Sequence, residues 1–168
     1  MKSKTFPRLT CLAVLLLCTQ SIHAYAQSNQ APNNQKALSM EHDEIHATIN
    51  MNNSAVGAGD MEEVLATFEP NGVLVGQPGM PAMGTPALRE AFAQFMAINP
   101  KITVTNHDVI QTGDIALHSS TWTMSGKTPD GSLIEQNGFS VVVLRKQPDG
   151  RWLMVIDNPF GDHLVHKK

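Results

Sequence analysis

Two histidines stand four residues apart in the stretch His42-Asp43-Glu44-Ile45-His46. On a helix that spacing stacks both imidazoles on one face, as a zinc peptidase requires. The peptidase also needs glutamate directly after the first histidine to activate the metal-bound water. Asp43 holds that place, one carbon shorter, and Glu44 comes one position late. A third ligand would have to come from elsewhere, so the stretch reads as a solvated helix face, and no metal is expected. A second group lies further on. His118 and Trp122 alternate with Ala116, Ser120 and Met124 on one face of a strand-like run, and Asp157 ends the last such run before Asn158-Pro159. If that face lines a cavity, His118 is a general base oriented by Asp157, Trp122 an aromatic wall and Gln77 a guard at the mouth. Each also has an ordinary structural role: a hydrogen-bonded core histidine, a packed indole, a carboxylate capping a turn. His107-Asp108 is a weaker second candidate. The sequence shows no glycine-rich phosphate loop, nucleophile elbow or metal cluster, and neither a metal nor a cofactor is expected.

The elements that must position these residues follow from periodicity and punctuation. A helix is expected from Ser39 to about Val56, with Ile45, Ile49 and Val56 as its apolar stripe and Gly57 and Gly59 as its end. Asp60, with Glu63 three residues on, opens a second helix bearing Met61, Val64, Leu65 and Phe68 on one face. A short strand at Val73–Gly76 and a loop to Pro81 lead to a third helix. That helix is expected to be capped by Thr85-Pro86 and stopped by Asn99-Pro100. Four strands follow, Ile102–Ile110, Ile115–Ser125, Leu133–Leu144 and Trp152–Ile156, joined by turns that include two Pro-Asp-Gly sequences. The fold class is α+β, an antiparallel sheet with three helices on one face. Trp152, Met154 and Ile156 point one way in the last strand, opposite Leu153 and Val155, and the preceding strand is also apolar on both faces. Helices cover one side only, so a homodimer packed sheet to sheet is expected.

Lys2, Lys4 and Arg8 precede a short apolar run from Leu12 to Leu17, and Ala24-Tyr25-Ala26 follows as a small-x-small cleavage pattern. Residues 1–26 read as a signal peptide, residues 27–38 as a disordered leader, 39–162 as the domain and 163–168 as a tail. The run is too short to span a bilayer, so the mature chain is expected to be periplasmic or secreted, without a membrane span. Both cysteines, Cys11 and Cys18, fall in the removed part. The full chain has 12 basic and 15 acidic side chains. Loss of three cations with the signal makes the remainder more acidic, which argues against a nucleic-acid partner.

The block from Ala58-Gly59-Asp60 through Phe68-Glu69-Pro70-Asn71-Gly72-Val73-Leu74-Val75-Gly76 to Trp152–Gly161 resembles the nuclear transport factor 2-like superfamily. Its members include ketosteroid isomerases and SnoaL-like cyclases. The resemblance implies a cone-shaped, curved, antiparallel-rich sheet enclosing a pocket for a small organic ligand. It places the isomerase tyrosine at Asn52, the general base at Gly76 or Gln77, and the protonated aspartate near Val142. None of the three residue types is retained, so steroid isomerisation by that mechanism is not expected. Asn52, Gln77 and Trp122 are then expected to touch the ligand, with His118 and Asp157 as the candidate acid-base pair. The role expected is binding or an accessory one; the rival is a cofactor-free isomerase, dehydratase or cyclase.

Overall fold

The computed structural model describes residues 13–163. Helix α1 runs from Ala13 to Ala58, and the chain divides into two units after Glu41. In the first unit, the helix begins before Ser39 instead of at it. The Ser39 hydroxyl donates to the Lys36 carbonyl (2.9 Å), a bond inside the helix, so Ser39 is not its cap. Residues 27–38 fall within these helical bounds. The basic start of the expected signal and the tail beyond His163 lie outside the described residues. Among those described, no helix is long and apolar enough to cross a membrane.

The second unit begins at His42 and holds the sheet. Here α1 buries Ile45, Thr48, Ile49, Asn52, Ala55 and Val56, the spacing of one helical stripe. Thr48 also donates to the Trp152 carbonyl (3.0 Å), fixing the helix to the last strand. The helix ends where two amides turn back: Gly59 N–H to Val56 C=O (3.2 Å) and Asp60 N–H to Ala55 C=O (2.9 Å). Gly59 has φ +74°, which a side chain at this site would resist. Asp60 then caps α2 (Met61–Ala66), its carboxylate accepting from Glu63 N–H at 3.1 Å.

Strand β1 spans Phe68–Leu74, followed by a two-residue strand β2 (Ala82–Met83) and helix α3 (Gly84–Met96). Phe68, expected on α2, is the first residue of β1. The helix stops early because Thr67 C=O accepts from Met154 N–H (2.8 Å), which draws the chain into the sheet. Thr85 does not cap α3; its hydroxyl donates to the Pro70 carbonyl (3.3 Å). Leu88 and Phe92 form the buried face of α3, and Asn99, at φ +49°, lies in the turn that follows.

The remaining strands are β3 (Lys101–Thr112), β4 (Ile115–Lys127), β5 (Leu133–Lys146) and β6 (Trp152–Asn158). The sheet order is β2-β1-β6-β5-β4-β3. All pairs are antiparallel except β1 with β6. The architecture is the α+β class expected, six strands with helices over the inner face. Buried side chains from all three helices, Ile45, Val64 and Leu88 among them, share one core with Ala116, Leu144 and Trp152 of the sheet.

Two irregularities in register govern which side chains face inward. In β3, Thr105 pairs with Thr121 and Asp108 with Ser119, so Asn106 and His107 together oppose Ser120. Val104 and Val109, an odd number of residues apart, consequently share the inner face opposite Trp122 and His118. Asn106 takes φ +51°, a conformation asparagine tolerates better than most residues. In β6, Met154 pairs with Leu144 and Ile156 with Val143, leaving Val155 as the extra residue. This corrects the expectation that Ile156 shares a face with Trp152 and Met154. Ile156 turns outward and is exposed, and Asp157 turns inward opposite Val142.

Candidate functional site

A cavity of about 900 Å³ lies between the helices and the inner face of the sheet. Ile49 and Asn52 of α1, Phe95 of α3, Trp122 of β4 and Val142 of β5 help to wall it. Trp122 is seated by three contacts. Its indole N–H donates to the Pro159 carbonyl (2.8 Å), and Phe160 meets the ring edge-on at 5.7 Å. Beneath it lies Gly138, where a Cβ would come within 2.8 Å of the indole. Gly138 is therefore glycine because the ring occupies the space of a side chain. Asn52 reaches the cavity, but its amide donates to the Thr67 hydroxyl (2.9 Å), which donates to the Val64 carbonyl (2.6 Å). Gln77 is exposed, in the loop at the cavity wall.

Asp157 also lines the cavity. The extra residue at Val155 aims it inward, and among the described residues no side chain donates a hydrogen bond to its carboxylate. Burial alone pushes its carboxyl up to about 7. A carboxyl with that affinity can hold or release a proton near neutrality. The cavity's other carboxylate, Glu90 on α3, is exposed.

His118 stands in the same inner-face row, His118–Val142–Asp157, but Val142 separates the two. Two strand spacings put their backbones roughly 10 Å apart. Asp157 therefore does not orient His118. The imidazole, fully buried, instead places its Nε2 2.9 Å from Nδ1 of His107, one nitrogen donating and the other accepting. His46 of α1 closes the group, its ring centroid 4.8 Å from that of His107 and 5.5 Å from that of His118. Burial first, then the charges that His107 and His46 would carry, push His118 down to about 4, against Asp108. Burial and then His107 also lower His46, partly opposed by Asp43. Nδ1 of His118 is buried without a partner.

The three histidines were visible in the sequence only singly. Spacing pairs His46 with His42 and offers His107 only as a weaker alternative to His118. What joins them is the extra residue in β3, which turns His107 to the inner face, and no local pattern announces it. The three isomerase positions all reach the same cavity, at Asn52, Gly76 or Gln77, and Val142. The carboxyl that this chain supplies sits one strand over from Val142, at Asp157.

With this geometry in place, likeness to known proteins is informative. A model of the SnoaL-like domain matches residues 50–154, and the chain belongs to that family. Comparison with curated proteins found no match. Solved structures share the fold. A ketosteroid isomerase-like protein from Erwinia carotovora atroseptica SCRI1043 superposes with a TM-score of 0.60 at 24% identity, over 68% of this chain and 90% of its own. A candidate dehydratase of the NTF2-like family from Streptomyces avermitilis gives 0.64 at 19%, over 71% and 95%. A Catenulispora acidiphila protein in complex with S-DNPA gives 0.64 at 20%, over 77% and 99%.

Proposed function

We propose that the cavity binds a small, largely apolar organic molecule, and that Asp157 is the group that exchanges a proton or hydrogen bond with it. The observation that carries this reading is the Asp157 carboxyl, turned into a mostly apolar cavity where, among the described residues, no side chain donates to it. Orientation comes from few polar groups and affinity from the walls, as in most small-molecule sites. A second reading, a cofactor-free isomerase or dehydratase, is favoured by the position of Asp157 beside Val142, where the isomerases' acid was expected. In that case the carboxylate would take a proton from carbon and pass it on, to a second carbon in an isomerisation or to the departing hydroxyl, released as water, in a dehydration.

Native mass spectrometry of molecules that co-purify with the protein, followed by titration with the compound found, tests both readings. Binding should quench Trp122 fluorescence and weaken in Asp157→Asn. Turnover that disappears in that variant would establish the enzyme, and a cavity that takes up no organic compound would overturn both readings.

Export and pairing complete the proposal. Residues 1–26 direct export to the periplasm or exterior, checked by the intact mass of the exported chain. The outer face of the sheet joins two copies, supported by exposed Ile110, Leu117, Phe139 and Ile156. Light scattering at micromolar concentration should report a dimer. The acidic balance gives nucleic acid no place among the partners.

A further inference from the structure

His46, His107 and His118 each offer one ring nitrogen, and these three atoms lie within 4.8 Å of one another. They come from three separate elements, α1, β3 and β4. None of them lines the cavity of Asp157, so the cluster is a distinct feature of the inner face. Three converging imidazoles are an unusual way to fill space. Their rings lie at 35°, 52° and 87° to one another, and a single hydrogen bond links two of them. His118 is fully buried, and the ring nitrogen it turns toward His107 is Nε2.

The backbone is bent to make the arrangement. Without the extra residue in β3, His107 would point to the outer face. Asn106 holds the bend, its amide donating to the Thr121 hydroxyl (2.9 Å), which also donates to the Thr105 carbonyl (3.2 Å). Irregularities of this kind are concentrated beside functional sites.

We propose that His46, His107 and His118 form a three-histidine site for a late first-row divalent cation such as Zn²⁺. Zinc–imidazole bonds of about 2.0–2.1 Å set ligand nitrogens roughly 3.4 Å apart in a tetrahedron. The close pair at 2.9 Å opens by about 0.5 Å when the metal replaces their shared proton, and no separation closes by more than about 1.4 Å. Side-chain torsions of the half-buried His46 and the exposed His107 supply that adjustment. All-imidazole donors suit zinc, copper or nickel and disfavour magnesium and calcium, which take oxygen. Asp43 and Asp108 add negative charge close by. The exposed side, at His107, leaves the fourth position to water. His42, the sequence neighbour of His46, is not a member.

Calorimetric titration of tag-free full-length protein with Zn²⁺, and Co²⁺ absorption in the visible range, test the site. One metal per chain is expected, with a Co²⁺ spectrum of low coordination number. His46→Ala and His107→Ala, neither fully buried and so the variants that keep the fold by circular dichroism, should each weaken binding by at least about 100-fold. His42→Ala should leave it unchanged. His118→Gln should abolish binding, and if it unfolds, the first two variants still decide. Absence of Zn²⁺ binding at micromolar concentration would overturn the proposal, as would binding that survives both His46→Ala and His107→Ala or is lost with His42→Ala.

Discussion

The inner face of the sheet carries two polar regions that invite comparison, the lone carboxyl of Asp157 and the cluster of three histidines. Both depend on one extra residue in a strand, Val155 in β6 and the Asn106-His107 step in β3, which turns a polar side chain inward. The outcomes differ because the neighbours differ. Among the described residues Asp157 faces mostly apolar walls with no side-chain donor, whereas each histidine faces other histidines. Burial acts on both in one sense, toward the neutral form. It raises the acid to about 7 and contributes most to lowering His118 to about 4. The lesson is that a shift of register chooses which group enters, and the surroundings decide whether it becomes a proton donor or a ligand.

The largest test separates the two by pH. Asp157 keeps its proton in the folded state up to about 7, while the unfolded chain releases it near 3.8. Stability from this group is complete below about 3.8, falls as pH rises toward 7, and is lost above. Asp157→Asn should therefore raise stability at pH 8 by about 2–4 kcal/mol and change little at pH 4, read from urea unfolding. In metal-free protein His118 tilts the other way, losing stability as pH falls from 6.5 toward 4. A flat difference between wild type and Asp157→Asn across pH would mean the carboxyl is not desolvated.

Gly138→Ala attacks the cavity end. Its methyl would meet the Trp122 indole at 2.8 Å, and the ring must move off its Pro159 bond. A loss of about 2 kcal/mol is expected, with weakened ligand quenching but intact zinc binding. Asn106→Val attacks the other end, placing a β-branched residue at φ +51°. About 1–2 kcal/mol should be lost along with zinc affinity, and Trp122 quenching should survive. Equal damage to both readouts in either variant would show that the two regions are one unit. Asp60→Ala, which removes the α2 cap, should cost about 1 kcal/mol and move neither readout.

Much of this fold was legible because punctuation and periodicity are local. Asp60 capped its helix as read, and β3 to β6 fell within two residues of their expected bounds, since Gly and Pro-Asp-Gly mark where strands must turn. Trp122 lines the cavity, but alternation alone leaves open which face of the sheet does so. What failed depended on contacts between distant segments. Phe68 left its helix because Met154 claimed the Thr67 carbonyl, and Thr85 gave its hydroxyl to Pro70. The pairing of His118 with Asp157 failed on geometry, with Val142 between them. Strict alternation predicts a face for every strand residue, and it misassigns all those beyond an extra residue. That is why alternation groups Ile156 with Trp152 and Met154 and does not join His107 to His46 and His118.

The place of β6 in the sheet has a consequence for how the chain is made. It lies between β1 and β5, so the last described strand in chain order is an interior one. Until Trp152–Asn158 has emerged, β1 and β2 have no route to the rest of the sheet, because only β6 joins them to β5. Contacts this distant in sequence form slowly and late. A growing chain therefore cannot close its sheet until Trp152–Asn158 is available to pair with both β1 and β5.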